Sequence, residues 1–163
     1  MLHLIQCRHA QPLWKACLHF CVNVLGEPRI PRDTTYAIIL GVDKARMNLM
    51  TVPALAFLRH AFGVYYRDIV NVAKHNVTFK WRTTFAAALA NFEKAVRRHC
   101  HGIKIHFNHR KHTKLTEQIP EDDRLKFSSF LVIHGNGDYA IKPRFTKAIA
   151  DAKQAAEEHD KNN

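Results

Sequence analysis

The sequence lacks two features that would define whole classes of protein, namely a long apolar run and a regular cysteine framework. A membrane-spanning helix needs about 20 consecutive apolar residues, and no such run occurs among the 163 residues. The four cysteines have no regular spacing, and there is no signal-peptide pattern. This combination is typical of reduced thiols rather than disulfides. We therefore expect an intracellular chain, in the nucleus or the cytoplasm, with no membrane partner.

Acidic residues are also scarce. Only 14 Asp and Glu oppose 25 Lys and Arg, which gives a net charge of +11, and 12 His would add to it in acid. Hydrophobic residues make up 47% of the chain, which is enough to close one core at this length. The composition thus predicts one globular domain whose natural partners are polyanions.

Hydrophobic periodicity predicts three main helices, at His9 to Leu25, Pro53 to Lys74 and Trp81 to about His112. Gly26 and Pro28 would end the first of them. In each, apolar residues recur every three or four positions, which places them on one helical face. The three predicted apolar stripes are Ala10, Leu13, Cys17, Phe20 and Val24; Leu55, Leu58, Phe62, Tyr65, Ile69 and Val72; and Trp81, Phe85, Leu89, Phe92, Val96, Cys100, Ile103 and Phe107.

The remaining segments are shorter. Residues 27–35 predict a loop, and residues 36–42 fit either a short strand or a buried turn. A helix is predicted to begin near Pro120 and to run through Leu125–Ile133, ended by Gly135. The sequence Gly135-Asn-Gly-Asp138 predicts a turn, residues 139–142 a short extended segment, and Pro143 the start of a last helix through Phe145 and Ile149.

The expected fold class is therefore mainly α, with three main helices and shorter C-terminal helices. Short extended segments near 36–42 and 139–142 are compatible with it. We expect residues 1–156 to form a single helical domain and residues 157–163 to form a frayed polar tail.

A basic tract between Glu93 and Glu117 is the main candidate for a binding site, because it contains no carboxylate. Phosphates of nucleic acid match such a tract, since Arg and Lys neutralise them and release counterions. No helix-turn-helix, zinc-finger or RNA-recognition signature accompanies it, so sequence-specific readout is not predicted. A solvated basic helix face is the alternative interpretation. The predicted nucleic-acid-binding residues are Arg97, Arg98, Lys104, His106, His109, Arg110, Lys111 and Lys114.

The histidines of this tract also suggest metal binding. His106, His109 and His112 are spaced three residues apart, about one helical turn, and pairs of them could chelate Zn, Ni or Cu. Neighbouring Lys and Arg repel a dication, and no carboxylate lies nearby in sequence to orient the imidazoles. The sequence therefore favours phosphate over metal here.

Cysteine thiols could act as nucleophiles, and exposed tyrosine rings could stack on bases. Cys17 and Cys100 lie on the apolar stripes, with Cys21 beside them, so we interpret all three as small buried hydrophobes rather than nucleophiles. Tyr65 lies on a core stripe, which leaves only Tyr66 as an exposed aromatic on which a base could stack. No catalytic residue is predicted.

The first residues include His3-Leu4, Cys7, His9-Ala10-Gln11 and Leu13-Trp14. This order resembles the second half of the zinc-binding region that follows the polymerase in the reverse transcriptases of non-LTR retrotransposons. By that resemblance, His3 and Cys7 correspond to the last two zinc ligands. A structural zinc site needs four ligands, and the first cysteine pair of the family is absent. We therefore expect no cofactor, with zinc bound only if the missing upstream ligands are supplied.

The resemblance implies that the chain is a C-terminal piece of such a protein, whose upstream polymerase domain would be a partner. The polymerase motif, an aromatic residue followed by one residue and two aspartates, is missing, since Pro120 stands where the aromatic belongs before Asp122 and Asp123. The leading hypothesis is thus a non-catalytic, basic, helical nucleic-acid-binding module from a protein whose parent is an RNA-directed DNA polymerase. The alternative is a structural or interaction domain, or an inert fragment.

Overall fold

The computed structural model describes residues 5–26, 52–112, 131–134 and 138–161. The side chains of residues 52, 99–100, 102–112, 133 and 160 lie outside this description. The described residues form four helices and one β-hairpin, in the order α1 (Gln11–Asn23), α2 (Val52–His75), α3 (Trp81–His112), β1 (Leu131–Ile133), β2 (Tyr139–Ile141) and α4 (Pro143–Lys161). The predicted loop at 27–35, the stretch at 36–42 and the helix start at Pro120 lie outside the described residues. The fold is mainly α, as the sequence predicts.

Helix α1 follows its predicted stripe closely. Leu13, Cys17 and Phe20 are buried at spacings of four and three residues, as are their neighbours Trp14 and Cys21. Burial raises the pKa of the Cys17 thiol well above its ordinary value, and the nearby Cys21 adds to this effect. Both cysteines are therefore packed as small hydrophobes, as predicted.

Helix α2 is present at the predicted position, but its buried face is rotated from the predicted stripe. The fully buried side chains are those of Ala54, Phe57, Leu58, Ala61 and Tyr65. Leu55, Phe62 and Ile69 of the predicted stripe are only partly buried and flank this face. Small alanines count little in a search for apolar periodicity, yet Ala54 and Ala61 are fully buried here.

A tight connection joins α2 to α3. Asn76 has φ 50°, a left-handed conformation that Asn tolerates better than most residues. Across the connection, the Tyr65 and Phe79 rings lie 5.5 Å apart, and Thr84 of α3 lies 2.7 Å from the Asp68 carboxylate of α2. Local contacts thus hold α2 and α3 as an antiparallel pair.

Helix α3 is the centre of the domain and packs against each of the other three helices. Its Leu89, Phe92 and Val96 are buried, as predicted. Four phenylalanines, one from each helix, meet around this face: Phe20, Phe57, Phe92 and Phe145. We call this group the phenylalanine cluster, and its ring centroids lie 4.7 Å apart for Phe20 and Phe57, 5.6 Å for Phe57 and Phe92, 6.1 Å for Phe92 and Phe145, and 5.8 Å for Phe20 and Phe145.

The hairpin corrects one prediction. Residues 131–133 were predicted to end a helix, but they form strand β1, which pairs antiparallel with β2 in the register Leu131↔Ile141, Val132↔Ala140 and Ile133↔Tyr139. Leu131 is buried and Val132 is exposed, which is the alternation of a strand. The predicted extended segment is confirmed at Tyr139–Ile141. A short apolar run fits a helix or a strand equally well until its pairing partner is known.

Helix α4 begins at Pro143, as predicted, but it is longer than the predicted C-terminal helix. Phe145, Ile149 and Ala156 are buried on its inner face, and the helix continues through Lys161, so part of the predicted tail at 157–163 is helical. Fraying of this end stays a prediction. In the described residues, no helix combines the length and apolarity needed to cross a membrane.

Candidate nucleic-acid interface

The described part of the basic tract lies on the outer side of α3. Because Phe92 and Val96 face the core, Lys94, Arg98 and His101 are left exposed. These three residues are spaced four and three positions apart, so they lie on one face of the helix. The structure therefore places Arg98, one of the predicted binding residues, on one exposed face with Lys94 and His101 of the same tract.

Arg97 is exposed but already engaged. Its Nε and Nη2 donate hydrogen bonds of 3.0 and 2.7 Å to Oε1 of Glu93, one turn earlier. These hydrogen bonds raise the pKa of Arg97 above its ordinary value, and Tyr139 of β2 adds a smaller contribution of the same sign. A phosphate that binds Arg97 must compete with Glu93, so Arg97 is a weaker candidate than the sequence indicates. The four-residue spacing of Glu93 and Arg97 was a signal that sequence analysis could have used.

Arg98 brings a residue of another helix into the site. His60 of α2 lies with its ring centroid 6.2 Å from that of Phe92, and its pKa is lowered by burial and by the positive charge of Arg98. His60 is therefore neutral near pH 7 and adds no charge to the surface. Sequence analysis did not identify His60, because nothing in a single sequence indicates which residue of α2 faces Arg98.

The second half of the tract is helical, since α3 continues to His112. Lys104, His106, His109, Arg110 and Lys111 thus belong to the same helix as Arg97 and Arg98, although their side chains, and Lys114 altogether, lie outside the description. Their role in binding nucleic acid stays a prediction, as does chelation of a metal by His106, His109 and His112.

Cys7, the predicted zinc-ligand remnant, is half-buried and packs against the core. Its carbonyl accepts hydrogen bonds from the backbone N–H groups of Ala10 and Gln11, at 2.9 and 3.2 Å, just before α1. His3, its predicted partner, lies outside the described residues. Among the residues that the structure describes, no three His, Cys, Asp or Glu side chains form a group that could hold a metal ion.

The two adjacent tyrosines differ in exposure, as predicted. Tyr65 is 1% exposed, and burial, with a smaller effect of Cys7, raises its pKa to about 12. Its ring contacts the edge of Trp14 at 5.6 Å between centroids. Tyr66 is 53% exposed. Cys100, interpreted as a buried hydrophobe, has its side chain outside the description.

Comparison with known proteins identifies no relative, since no family model, curated protein or solved structure matches the chain.

Proposed function

We propose that this chain is a non-catalytic, basic, helical module that binds the backbone of RNA or DNA through residues 94–114. The single observation that carries this proposal is the row of Lys94, Arg98 and His101 on the outer side of α3. This row opens a tract that contains no carboxylate before Glu117. An extended anion is the partner that such a surface fits.

The length of the basic tract favours nucleic acid over a small anion as its ligand. At 1.5 Å per residue, the helix from Lys94 to Lys111 rises about 25 Å. Duplex DNA carries one charge per about 1.7 Å of its axis, so a surface of this length meets many phosphates. A single phosphate would leave most of the cations without a counterion.

The module that we propose is non-catalytic, and the surroundings of two candidate groups, Cys17 and His60, favour this. The Cys17 thiol is buried and its raised pKa keeps it protonated, whereas a catalytic cysteine acts as an accessible thiolate. His60 is half-buried beside Phe92, and burial and the charge of Arg98 lower its pKa.

The origin that we propose for the module is a retroelement protein. The support is the resemblance of His3 to Trp14 to the end of the zinc-binding region of non-LTR reverse transcriptases. An upstream polymerase domain would then be its partner, in the nucleus or the cytoplasm. Zinc would bind only with ligands supplied from that upstream region. An in-frame cysteine pair and polymerase aspartates in the coding sequence upstream of Met1 would support this origin, and their absence would remove it.

The proposed site is tested by measuring affinity for single- and double-stranded RNA and DNA across a range of salt concentrations. One variant changes Lys94 and Arg98 to Gln, and a second changes Lys104, Arg110, Lys111 and Lys114 to Gln. The control changes Lys153 and Lys161, which are exposed on α4. Each lost phosphate contact should reduce the slope of log affinity against log salt by roughly 0.7 to 0.9.

Two results would contradict the proposal. If both tract variants bind like the control, the site is elsewhere. If the unmodified chain binds no nucleic acid at physiological salt but forms stable complexes with itself, the alternative of an interaction domain is correct. Light scattering on the same preparation detects that association.

A further inference from the structure

A second basic surface lies on the outer side of α2. It consists of Arg59, Gly63, Tyr66, Arg67 and Lys74, which are all exposed, and we call it the α2 stripe. Their spacing keeps them within one side of the helix, because residues three, four and seven positions apart lie nearly above one another. The stripe combines three cations, one aromatic ring and one position without a side chain.

Tyr66 is unusual in this position because it does no core packing. Its neighbour Tyr65 is held between Trp14 and Phe79, and adjacent helical residues point about 100° apart. Tyr66 therefore projects into solvent, with about half of its surface exposed. It is one of three large exposed hydrophobic side chains in the described residues, and of these it is the only aromatic.

Gly63 leaves open space beside Tyr66. A Cβ built at Gly63 would meet no atom within 4 Å, and Gly63 lies one turn from Tyr66 on the same side of α2. Glycine in the interior of a helix costs about 1 kcal/mol relative to alanine, and among the described residues no close contact requires it. The consequence is that no side chain at position 63 obstructs a planar group that approaches the ring from that side.

The charged side chains of the stripe are all positive and exposed. Arg59 and Lys74 lie about 10 and 12 Å along the helix axis from Tyr66, and Arg67 follows it directly. Asp68 is the nearby acid on α2, but its Oδ2 accepts the Thr84 hydroxyl at 2.7 Å. The Asp68 Oδ1 forms an ion pair with the Arg67 Nε at 3.8 Å, which is too long for a hydrogen bond, and both side chains are partly exposed, so the pair neutralises Arg67 only weakly.

We propose that the α2 stripe binds single-stranded nucleic acid, with a base stacked on Tyr66 and flanking phosphates bound by Arg59, Arg67 and Lys74. An unpaired base offers a planar face that can stack on the Tyr66 ring, and no side chain at Gly63 obstructs it. In a duplex the bases are already stacked on one another. An acidic peptide could pair with the cations, but its carboxylates offer no planar face that stacks on the Tyr66 ring. His60, which follows Arg59 in α2, has a pKa that is lowered by burial and by the charge of Arg98 in α3.

This inference rests on the proposed function, since it assigns a preference for single strands to the same module. The experiment uses the full chain, oligo(dT) of about 15 nucleotides, a matched duplex and poly-glutamate, because stacking sites span roughly 4 to 16 nucleotides. The variants are Tyr66→Leu, which removes the ring, and Tyr66→Phe, which keeps it. Val77→Leu, at an exposed residue in the α2–α3 connection, is the matched control.

We expect Tyr66→Leu to weaken oligo(dT) binding about 5- to 100-fold, the range for loss of one stacked base. Duplex affinity should change by less than about twofold, because phosphate contacts alone position a duplex on the surface. Tyr66→Phe and Val77→Leu should bind oligo(dT) like the unmodified chain. Circular dichroism confirms that each variant is folded.

The outcomes separate this inference from the proposed function. If the unmodified chain binds both nucleic acids and Tyr66→Leu leaves oligo(dT) affinity unchanged, the stacking role of Tyr66 is wrong and the proposed function stands. If poly-glutamate binds as tightly as oligo(dT), the stripe is a site for acidic peptide and the inference is overturned. If neither nucleic acid binds, the proposed function itself fails.

Discussion

The Thr84 hydroxyl, on a side chain that is 2% exposed, lies 2.7 Å from Oδ2 of Asp68 and 3.2 Å from the Lys80 carbonyl. It is the one polar side chain among the fully buried residues of the described structure. It connects α2 to the first turn of α3, directly behind the α2 stripe. The contact satisfies a buried hydroxyl and engages one oxygen of Asp68, whose other oxygen lies 3.8 Å from the Arg67 Nε.

Thr84→Val keeps the shape of the side chain and removes the hydroxyl. We expect the free energy of unfolding to fall by about 1–2 kcal/mol, because a hydrogen bond to a charged group is lost while Asp68 can still be hydrated. Thr83→Val is the matched control, since Thr83 is adjacent and exposed, and it should change stability by less than about 0.5 kcal/mol. Urea unfolding measures both values. Equal effects of the two variants would show that the hydroxyl of Thr84 does not stabilise the domain.

Gly63 and Gly26 should respond to alanine in opposite directions. Gly63→Ala fills open space within α2 and should stabilise the domain by up to about 1 kcal/mol. Gly26→Ala meets no neighbour either, but Gly26 has φ 76°, so we expect it to destabilise by about 1–2 kcal/mol. Thermal unfolding of the two variants tests this difference. A stabilising Gly26→Ala would contradict the left-handed conformation of that residue.

His60 should make stability depend on pH. Its pKa in the folded state is lowered from 6.5 by burial and by Arg98, so the unfolded chain binds protons more readily and stability rises with pH. The contribution of His60 is complete above about pH 6.5 and is lost as the pH falls through the lowered folded value. The difference in stability between the unmodified chain and His60→Gln, measured by urea unfolding from pH 5 to pH 8, should follow this course.

Arg98→Gln tests the cause of that shift, because it removes the charge that opposes protonation of His60. NMR titration should show the pKa of His60 moving back toward its ordinary value. Arg82→Gln is the control, since the Arg82 guanidinium lies 4.6 Å from the Trp81 ring centroid at the start of α3, and it should leave His60 unchanged. An unaltered His60 pKa in Arg98→Gln would mean that burial alone causes the shift.

Glu93→Gln should strengthen binding to nucleic acid. The change removes the Glu93 carboxylate that pairs with Arg97, so we expect affinity to rise roughly two- to fivefold at low salt. Stability should fall by no more than about 0.5 kcal/mol, the value of an exposed helical ion pair. Glu157→Gln alters the net charge equally at an exposed residue of α4. If it raises affinity as much as Glu93→Gln, the effect is one of net charge and Arg97 has no specific role.

The sequence predicts helix bounds and buried residues correctly where the spacing of apolar residues within one helix is sufficient to determine them. The bounds of α3 and the burial of Leu89, Phe92 and Val96 follow from spacing alone. The strand at Leu131–Ile133 could not be predicted, because its conformation depends on pairing with Tyr139–Ile141. The rotated face of α2 depends in the same way on its neighbours.

The candidate site was predictable as a charged segment but not as a surface. Counting charges identifies Arg97 and Arg98 equally, whereas the structure shows Arg97 bound to Glu93 and Arg98 beside His60. Exposure of Tyr66 was predictable, since Tyr65 fits the apolar spacing. That Tyr66 shares one side of α2 with Arg59 and Gly63 becomes clear only when the buried face of α2 is known.

The phenylalanine cluster has a consequence for the order in which the chain folds. Phe57 and Phe92 belong to adjacent helices joined by a short connection, so their contact closes only a small loop. Phe20 and Phe145 come from opposite ends of the sequence and contact each other across the cluster. Loop closure costs more entropy as the separation grows. We therefore expect α2 and α3 to pair first. The domain is completed only after α4 has been synthesised, because Phe145 is the last of the four rings to join the cluster.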